Sequence, residues 1–156
     1  MDVLFWLLVL AVIEGGIIAG VSFDVAFVKL PTRKRVGQVA YAQFARGNDL
    51  GNGKLVYPIL GIVAILLIAA ATTIALVQPT PLAVRLPICI AAAMTMAHSL
   101  CTAKAAPIML SLAKTPDDPN LLQQKLDRFT FWHGIRTVFQ IAAFVALLTA
   151  LVSASR

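Results

Sequence analysis

Four long apolar runs limit what this chain can fold into. They cover residues 3–28, 55–77, 82–112 and 129–154. Each run reaches the roughly 20 residues that an α-helix needs to cross a hydrocarbon core of about 30 Å. Lipid offers no partner for backbone polar groups, so spans of this kind form helices. With 60% apolar and 13% charged residues in 156, the chain is predicted to be all-α: one integral membrane four-helix bundle over residues 1–156.

Basic side chains are concentrated in two of the three connections between these spans. Residues 29–54 hold six Lys and Arg, residues 113–128 hold three, and the second connection has only Arg85 at its edge. Connections rich in Lys and Arg remain in the cytoplasm. The pattern therefore predicts cytoplasmic connections at 29–54 and 113–128 and both termini outside. It also explains the net charge of +6 without nucleic acid, and no nucleic-acid partner is expected.

The first connection has a helical period followed by turn residues. Apolar residues recur at helical spacing from Val36 to Phe44, with cationic and amide side chains between them. This pattern predicts a short interfacial amphipathic helix. Gly47–Gly53 then has the composition of a turn. A flexible connection is the simpler interpretation; alternatively, the glycines on either side of Asn52 bring the backbone close to a ligand.

A polar stripe on the last span indicates where a functional site would lie. At about 100° per residue, His133, Arg136 and Gln140 fall on one side of a helix. Polar groups are costly against hydrocarbon, so this side is expected to face the bundle interior. Glu14 and His98 lie near the middle of the first and third spans. The four spans are therefore predicted to enclose an internal polar pocket.

Short motifs are spread over nearly the whole chain. They are Phe27–Pro31 after a glycine-rich helix, Asn48–Gly53, Tyr57–Pro58, Asp118–Asn120 and Trp132–Arg136 before an alanine-rich helix. Together they resemble the anthrone-oxygenase-like family, four-helix membrane proteins that are largely a domain of unknown function. Some fungal members are associated with oxidation of anthrones to anthraquinones by molecular oxygen without a metal or organic cofactor. Many bacterial members, which this chain is most similar to, have no assigned reaction.

The resemblance implies a cofactor-independent oxygenase acting on an apolar, anthrone-like, polycyclic or quinol-like substrate. Such a reaction needs a base that titrates near neutral pH and a cation or donor for the developing oxyanion. The predicted catalytic residues are His133, Arg136, His98 and Glu14. The predicted substrate-binding residues are Trp132, Gln140, Phe129, Asn52 and Lys104. Neither a metal nor another cofactor is predicted.

Other interpretations of the same residues stay open. Anchoring at the membrane interface explains His133 and Arg136 equally well, and hydrogen bonding between helices explains Gln140. The chain could instead be a non-enzymatic small subunit or a lipid-binding scaffold, in a homo-oligomer or a larger membrane complex. A haem held by His98 and His133, or a metal site that includes Glu14 and His98, is a further alternative.

Overall fold

The computed structural model describes residues 3–156, so the first two residues of the predicted domain lie outside the described part. Within this range the α-helices are α1 (Val3–Asp24), α2 (Leu30–Val36), α3 (Gln38–Gly47), α4 (Gly53–Val77), α5 (Leu82–Ser111) and α6 (Pro119–Ala154). Two π-helical turns, Val25–Lys29 and Asn48–Asn52, join α1 to α2 and α3 to α4. These described residues contain no strand, and the predicted all-α four-helix bundle is confirmed.

Four helical stretches are long and apolar enough to cross a membrane. They are Val3–Val36, Gln38–Val77, Leu82–Lys114 and Pro119–Ala154, and each contains one of the predicted spans. By the length and composition of these helices the chain is an integral membrane protein.

The first connection is helical almost throughout. α1 leads through the first π turn into α2, which ends at Gly37. The φ of Gly37 is +89°, a conformation that glycine adopts at little cost. The predicted amphipathic helix is confirmed as α3. Its buried side chains are Tyr41, Ala42 and Ala45, whereas Phe44, predicted on the apolar side, is exposed. The buried face of α3 therefore differs from the predicted apolar face, because the side of α3 that contacts α6 is the one that is buried.

The predicted turn at Gly47–Gly53 is a π turn rather than an open loop. Helical hydrogen bonding continues through Asn48–Asn52, although the chain bends at Gly51, where φ is −76° and ψ is −112°. α4 then begins at Gly53. A Cβ atom at Gly53 would lie 2.8 Å from the ring of Tyr57, so this close contact requires glycine.

The last helix begins upstream of the predicted span at 129–154, because its first turns are polar and extend beyond the apolar run. The carboxylate of Asp118 accepts hydrogen bonds from the backbone N–H groups of Asn120 (2.8 Å) and Leu121 (3.1 Å). This is an N-cap, which satisfies donors that have no partner inside the helix. Pro119 suits the first helical position, where no N–H is needed.

Small residues form the contacts between the spans. Ala91, Ala143 and Ala150 are completely buried, and Gly16 lies against the ring of Phe144, which is 3.2 Å from where a Cβ would stand. Lipid tails are as apolar as leucine, so helices in a membrane associate through close packing of such residues. The most extensive of these contacts joins α5 and α6, and α1 packs on α6 and α4.

Ion pairs fasten α2 and α3 to one end of the bundle. We call this end, formed by α2, α3 and residues 112–128, the basic end. Arg33 pairs with Asp127 on α6. Arg46 pairs with Asp117 at 2.6 Å and donates to two backbone carbonyl oxygens of the α5–α6 connection, at 3.0 and 2.6 Å. The hydrogen bond from Arg46 holds the pKa of Asp117, which lies outside the spans, below its ordinary value.

Candidate functional site

A cavity of about 490 Å³ lies between α1, α4, α5 and α6, next to the second π turn. Most of its wall is apolar. The polar side chains in the wall include Ser22, Asp49, Tyr57, His98, Arg136 and Gln140. Cavities of this size and character, with few polar groups on an apolar surface, are typical of small-molecule sites.

The cavity is partly open where exposed residues of α4 and α5 line it, and we call this opening the lateral mouth. Ile62 and Ile65 of α4 and Leu110 of α5 line the cavity and are also exposed on the outside of the bundle. All three belong to stretches that are apolar enough to cross a membrane. In a membrane-spanning bundle, an opening lined by these residues faces the hydrocarbon.

Arg136 is held by a chain of hydrogen bonds through the bundle core. Its Nε–H donates to Nδ1 of His133 at 2.9 Å, and Nε2 of His133 lies 3.2 Å from the carbonyl oxygen of Ser22 on α1. A guanidinium only donates and a carbonyl only accepts, so His133 is neutral with its proton on Nε2. Within residues 3–156 the two Nη groups of Arg136 have no hydrogen-bond partner. They are available to a ligand in the cavity.

His133 lies behind the cavity wall rather than in it. Its side chain is completely buried and stacks on Phe129, with ring centroids 5.3 Å apart. Both of its ring nitrogens are engaged, one with Arg136 and one with Ser22. In this arrangement His133 orients the guanidinium and has no free lone pair to take a proton.

His98, unlike His133, lies in the cavity wall. Its Nδ1 lies 3.0 Å from the carbonyl oxygen of Arg136, and because that oxygen can only accept, Nδ1 carries the proton. Nε2 then has a lone pair. The hydroxyl of Thr102 is 3.3 Å from this nitrogen and 2.9 Å from the carbonyl oxygen of His98, and it has one proton to donate. His98 and Thr102 both line the cavity, so in its neutral form the imidazole of His98 offers Nε2 as an acceptor in the cavity wall.

Gln140 and Glu14 lie between the spans on the side away from the basic end. Gln140 lines the cavity, and its Nε2 is 3.5 Å from the carbonyl oxygen of Gly15. Glu14 is buried one helical turn before Ile18, which lines the cavity, but Glu14 is not itself part of the wall. Its Oε1 has no hydrogen-bond partner in the part of the chain that the structure describes.

The structure brings four of the nine predicted site residues together in the cavity wall. These four are His98, Arg136, Gln140 and Phe129. The other five lie outside the wall: His133, Glu14, Trp132, Asn52 and Lys104. Trp132 packs against the apolar core of the basic end, and Asn52 and Lys104 are exposed.

Sequence reasoning did not select Asp49, which the π turn brings to the cavity wall. One signal could have found it, because Asp49 is the only acidic residue among the six Lys and Arg of residues 29–54. Its side chain accepts a hydrogen bond from Nδ2 of Asn48 at 3.0 Å.

A metal ion or a haem would need its ligands from the same residues. Among residues 3–156, no three His, Cys, Asp or Glu side chains come close enough together to hold a metal ion. Binding of a haem iron by His133 would require its hydrogen bond with Arg136 or with Ser22 to break.

Comparison with known proteins returns no relative. No protein-family model, no curated protein and no solved structure matches this chain.

Proposed function

We propose that this protein is a membrane-embedded, cofactor-independent oxygenase that acts on an apolar, anthrone-like substrate in the cavity. One observation carries the proposal: His98 and Arg136, joined by a hydrogen bond, line the same apolar cavity. A base beside a cationic donor is the minimum that proton abstraction next to a carbonyl needs.

The first step is removal of a proton. Nε2 of His98 takes a proton from the CH₂ group that is conjugated to the substrate carbonyl, and the C–H electron pair moves onto the carbonyl oxygen. The Nη–H groups of Arg136 bind the enolate that forms. Because the surrounding wall is apolar, this interaction is stronger than it would be in water.

The second step is reaction with oxygen. The enolate carbon transfers electrons to O₂ and a C–O bond forms, giving a peroxide that takes the proton from His98. Loss of the second C–H proton to His98 breaks the O–O bond and forms the new carbonyl. The hydroxide released takes that proton and leaves as water, so that CH₂ and O₂ become C=O and H₂O.

The wall of the cavity supports an aromatic, apolar substrate. Phe129 of α6 and Leu60 and Ile65 of α4 line the cavity. In this proposal the lateral mouth opens towards the hydrocarbon. A flat polycyclic molecule would enter from the membrane with its carbonyl towards Arg136. In the orientation predicted from the basic connections, the site lies in the cytoplasmic half of a bacterial inner membrane with both termini outside.

A lipid-binding scaffold without catalysis is the second candidate. The lateral mouth favours a scaffold, because the exposed residues Ile62, Ile65 and Leu110 line the cavity and would open it to the bilayer in a membrane-spanning bundle. A scaffold would bind its lipid in the cavity, with Arg136 as a polar contact, and would need no base. The two functions differ in whether binding is followed by consumption of oxygen.

Oxygen uptake tests the oxygenase proposal. The purified protein in mild detergent is supplied with anthrone, and oxygen consumption and anthraquinone formation are measured against a sample without protein. We expect one O₂ consumed for each anthraquinone formed. His98→Gln should lower kcat by about 100-fold or more, the usual contribution of a general base, and Arg136→Gln by about as much through loss of the oxyanion donor.

Lys104→Gln is the matched control, since Lys104 is exposed and outside the cavity wall; this variant should keep the full rate. Anthrone that binds to the protein without oxygen uptake above the protein-free sample would reject the oxygenase and favour the scaffold. Equal rates for His98→Gln and the unaltered protein would reject His98 as the base.

A further inference from the structure

Asp49 and Arg136 carry opposite charges and line the same cavity, yet they do not form an ion pair. The two groups interact electrostatically, but within the described chain the ion pairs join other residues. Opposite charges in an apolar cavity attract strongly. Both side chains line this cavity, so a ligand that fills it meets both charges.

Each of the two groups is held at its own side of the cavity. Asp49 belongs to the π turn Asn48–Asn52 and accepts a hydrogen bond from Asn48 at 3.0 Å. Arg136 is fixed on α6 by its hydrogen bond to His133 at 2.9 Å. Neither contact uses all the bonding capacity of the charged group. A carboxylate oxygen on one side and two Nη groups on the other remain for a ligand.

We propose that Asp49 and Arg136 together bind one neutral hydroxyl group of the ligand. A hydroxyl is the simplest group that fits both, because its O–H donates to the carboxylate while its oxygen accepts from the guanidinium. Asp49 is thus a binding residue that selects apolar molecules bearing an alcohol, phenol or enol. This inference rests on the binding step of the proposed oxygenase.

The same pair of charges disfavours other ligands. A carboxylate or phosphate would be attracted by Arg136 but repelled by Asp49 across a low-dielectric space. A pure hydrocarbon would leave both charges without partners, which is costly in an apolar site. Arg136 has two Nη groups, so one can bind the hydroxyl while the other faces the substrate carbonyl.

A matched set of three probes tests this preference on the unaltered protein. 2-Naphthol, 2-naphthoate and naphthalene have the same ring system and differ in carrying a neutral hydroxyl, an anionic carboxylate or no polar group. Binding is measured without oxygen, by calorimetry or ligand fluorescence in detergent, at about pH 7, where the phenol is neutral and the acid ionised. We expect 2-naphthol to bind about tenfold or more tighter than either of the others, as a hydrogen bond to charged groups allows.

Two variants assign the preference to Asp49. Asp49→Asn should weaken 2-naphthol binding about tenfold and strengthen or leave unchanged the binding of 2-naphthoate, because the repelling charge is gone. Asp118→Asn is the matched control: it makes the same change outside the cavity, and asparagine caps a helix as well as aspartate. It should bind all three probes as the unaltered protein does.

Every outcome decides the matter. Weaker 2-naphthol binding with stronger or unchanged 2-naphthoate binding in Asp49→Asn supports the inference. A loss of both to the same extent overturns it as a collapse of the site, and unchanged 2-naphthol binding overturns it as well. Should Asp49→Asn fail to fold, the preference of the unaltered protein decides alone: 2-naphthoate or naphthalene binding as tightly as 2-naphthol, or no binding of any probe, overturns it.

The proposed oxygenase fails separately. Selective, Asp49-dependent binding of 2-naphthol without oxygen uptake on anthrone would reject the oxygenase and keep this binding site. Oxygen uptake on anthrone without a preference for 2-naphthol would support the oxygenase and reject this binding site.

Discussion

Two histidines reach the bundle interior, and their hydrogen bonds give them different chemistry. His133 accepts from a guanidinium and donates to a carbonyl, so its lone pair is already occupied. His98 donates from Nδ1 to the carbonyl oxygen of Arg136, which leaves Nε2 as an acceptor at the cavity wall. Arg136 therefore connects the two rings: its side chain binds His133 and its backbone carbonyl binds His98. From these contacts we infer that His98 is the base and His133 a positioning residue.

Replacing His133 tests this division of roles. Asparagine carries an oxygen at about the place of Nδ1 and can accept from Arg136, whereas alanine cannot. We expect His133→Asn to oxidise anthrone within about tenfold of the normal rate, with an unchanged pH profile. His133→Ala should lose stability by about 1–3 kcal/mol, because Arg136 Nε is left buried without a partner, whereas the Ser22 carbonyl keeps its contact with the hydroxyl of Thr137. Thermal unfolding in detergent and the anthrone oxidation rate measure the two effects.

The matched comparison is His98→Asn, which should lose most of the activity. If His133 were the base instead, His133→Asn would be as inactive as His133→Ala, and His98→Asn would stay active. The two pairs of variants therefore separate a base from a positioning residue.

Helical periodicity predicted which side of α6 carries the polar residues, but not which of them reach the cavity. His133 and Arg136 lie one turn apart on the same side, as expected from about 100° per residue. Of these two residues, only Arg136, which has the longer side chain, reaches the cavity wall, and His133 lies behind it. That difference depends on the position of α1, whose Ser22 carbonyl engages His133. No pattern within the last span encodes the position of another helix.

At the scale of helices and turns, α3 was predicted from the sequence, but the conformation of the residues that follow it was not. Gly47–Gly53 has the glycine and asparagine content of a turn, and the sequence alone cannot show that it continues a helix as a π turn. The conformation depends on contacts such as that between Gly53 and the ring of Tyr57. It matters for the site because it brings Asp49 to the cavity.

α3 is held by Arg46 in addition to its buried apolar residues. Arg46 donates to two carbonyl oxygens of the α5–α6 connection and pairs with Asp117. Arg46→Gln should therefore loosen α3, and backbone amides of residues 38–47 should exchange with deuterium faster than in the unaltered protein. Arg35→Gln is the control, because Arg35 is exposed on α2; it should leave exchange in α3 unchanged. Equal exchange in all three proteins would contradict the role of Arg46.

The Arg46–Asp117 pair also predicts how this effect depends on pH. Hydrogen bonding from Arg46 lowers the folded-state pKa of Asp117 below its ordinary 3.8. A carboxyl with a lowered pKa stabilises the fold above its ordinary pKa, and this contribution is lost as pH falls through the folded value. The difference in exchange between the unaltered protein and Arg46→Gln should thus persist from neutral pH down to about pH 4 and shrink below it. A difference that stays constant at lower pH would assign the effect to the two carbonyl contacts alone.

At the scale of the whole molecule, the cavity lies off-centre. Asp49, Lys54 and Phe129, which line it, adjoin the basic end, whereas the tightly packed alanines and leucines fill the opposite half. Helices in lipid are held together by close packing. The half of the bundle that contains the cavity therefore needs other interactions to hold its helices together. The ion pairs of Arg33 and Arg46 supply them. The arrangement combines a rigid half with a half that can admit a ligand.

The orientation of this arrangement in the membrane is a prediction from charge, and labelling can test it. Lys and Arg near the ends of spans remain in the cytoplasm, so the basic end should face inwards and both termini outwards. Cys89 and Cys101 are first replaced by serine, because both are free thiols within α5. Lys114→Cys, at the basic end, and Ser155→Cys, beyond α6, are both exposed positions. In intact cells a membrane-impermeant maleimide should label Ser155→Cys at once and Lys114→Cys only after the membrane is opened. The reverse pattern would place the basic end outside and the lateral mouth in the outer leaflet, where the substrate would have to be an external one.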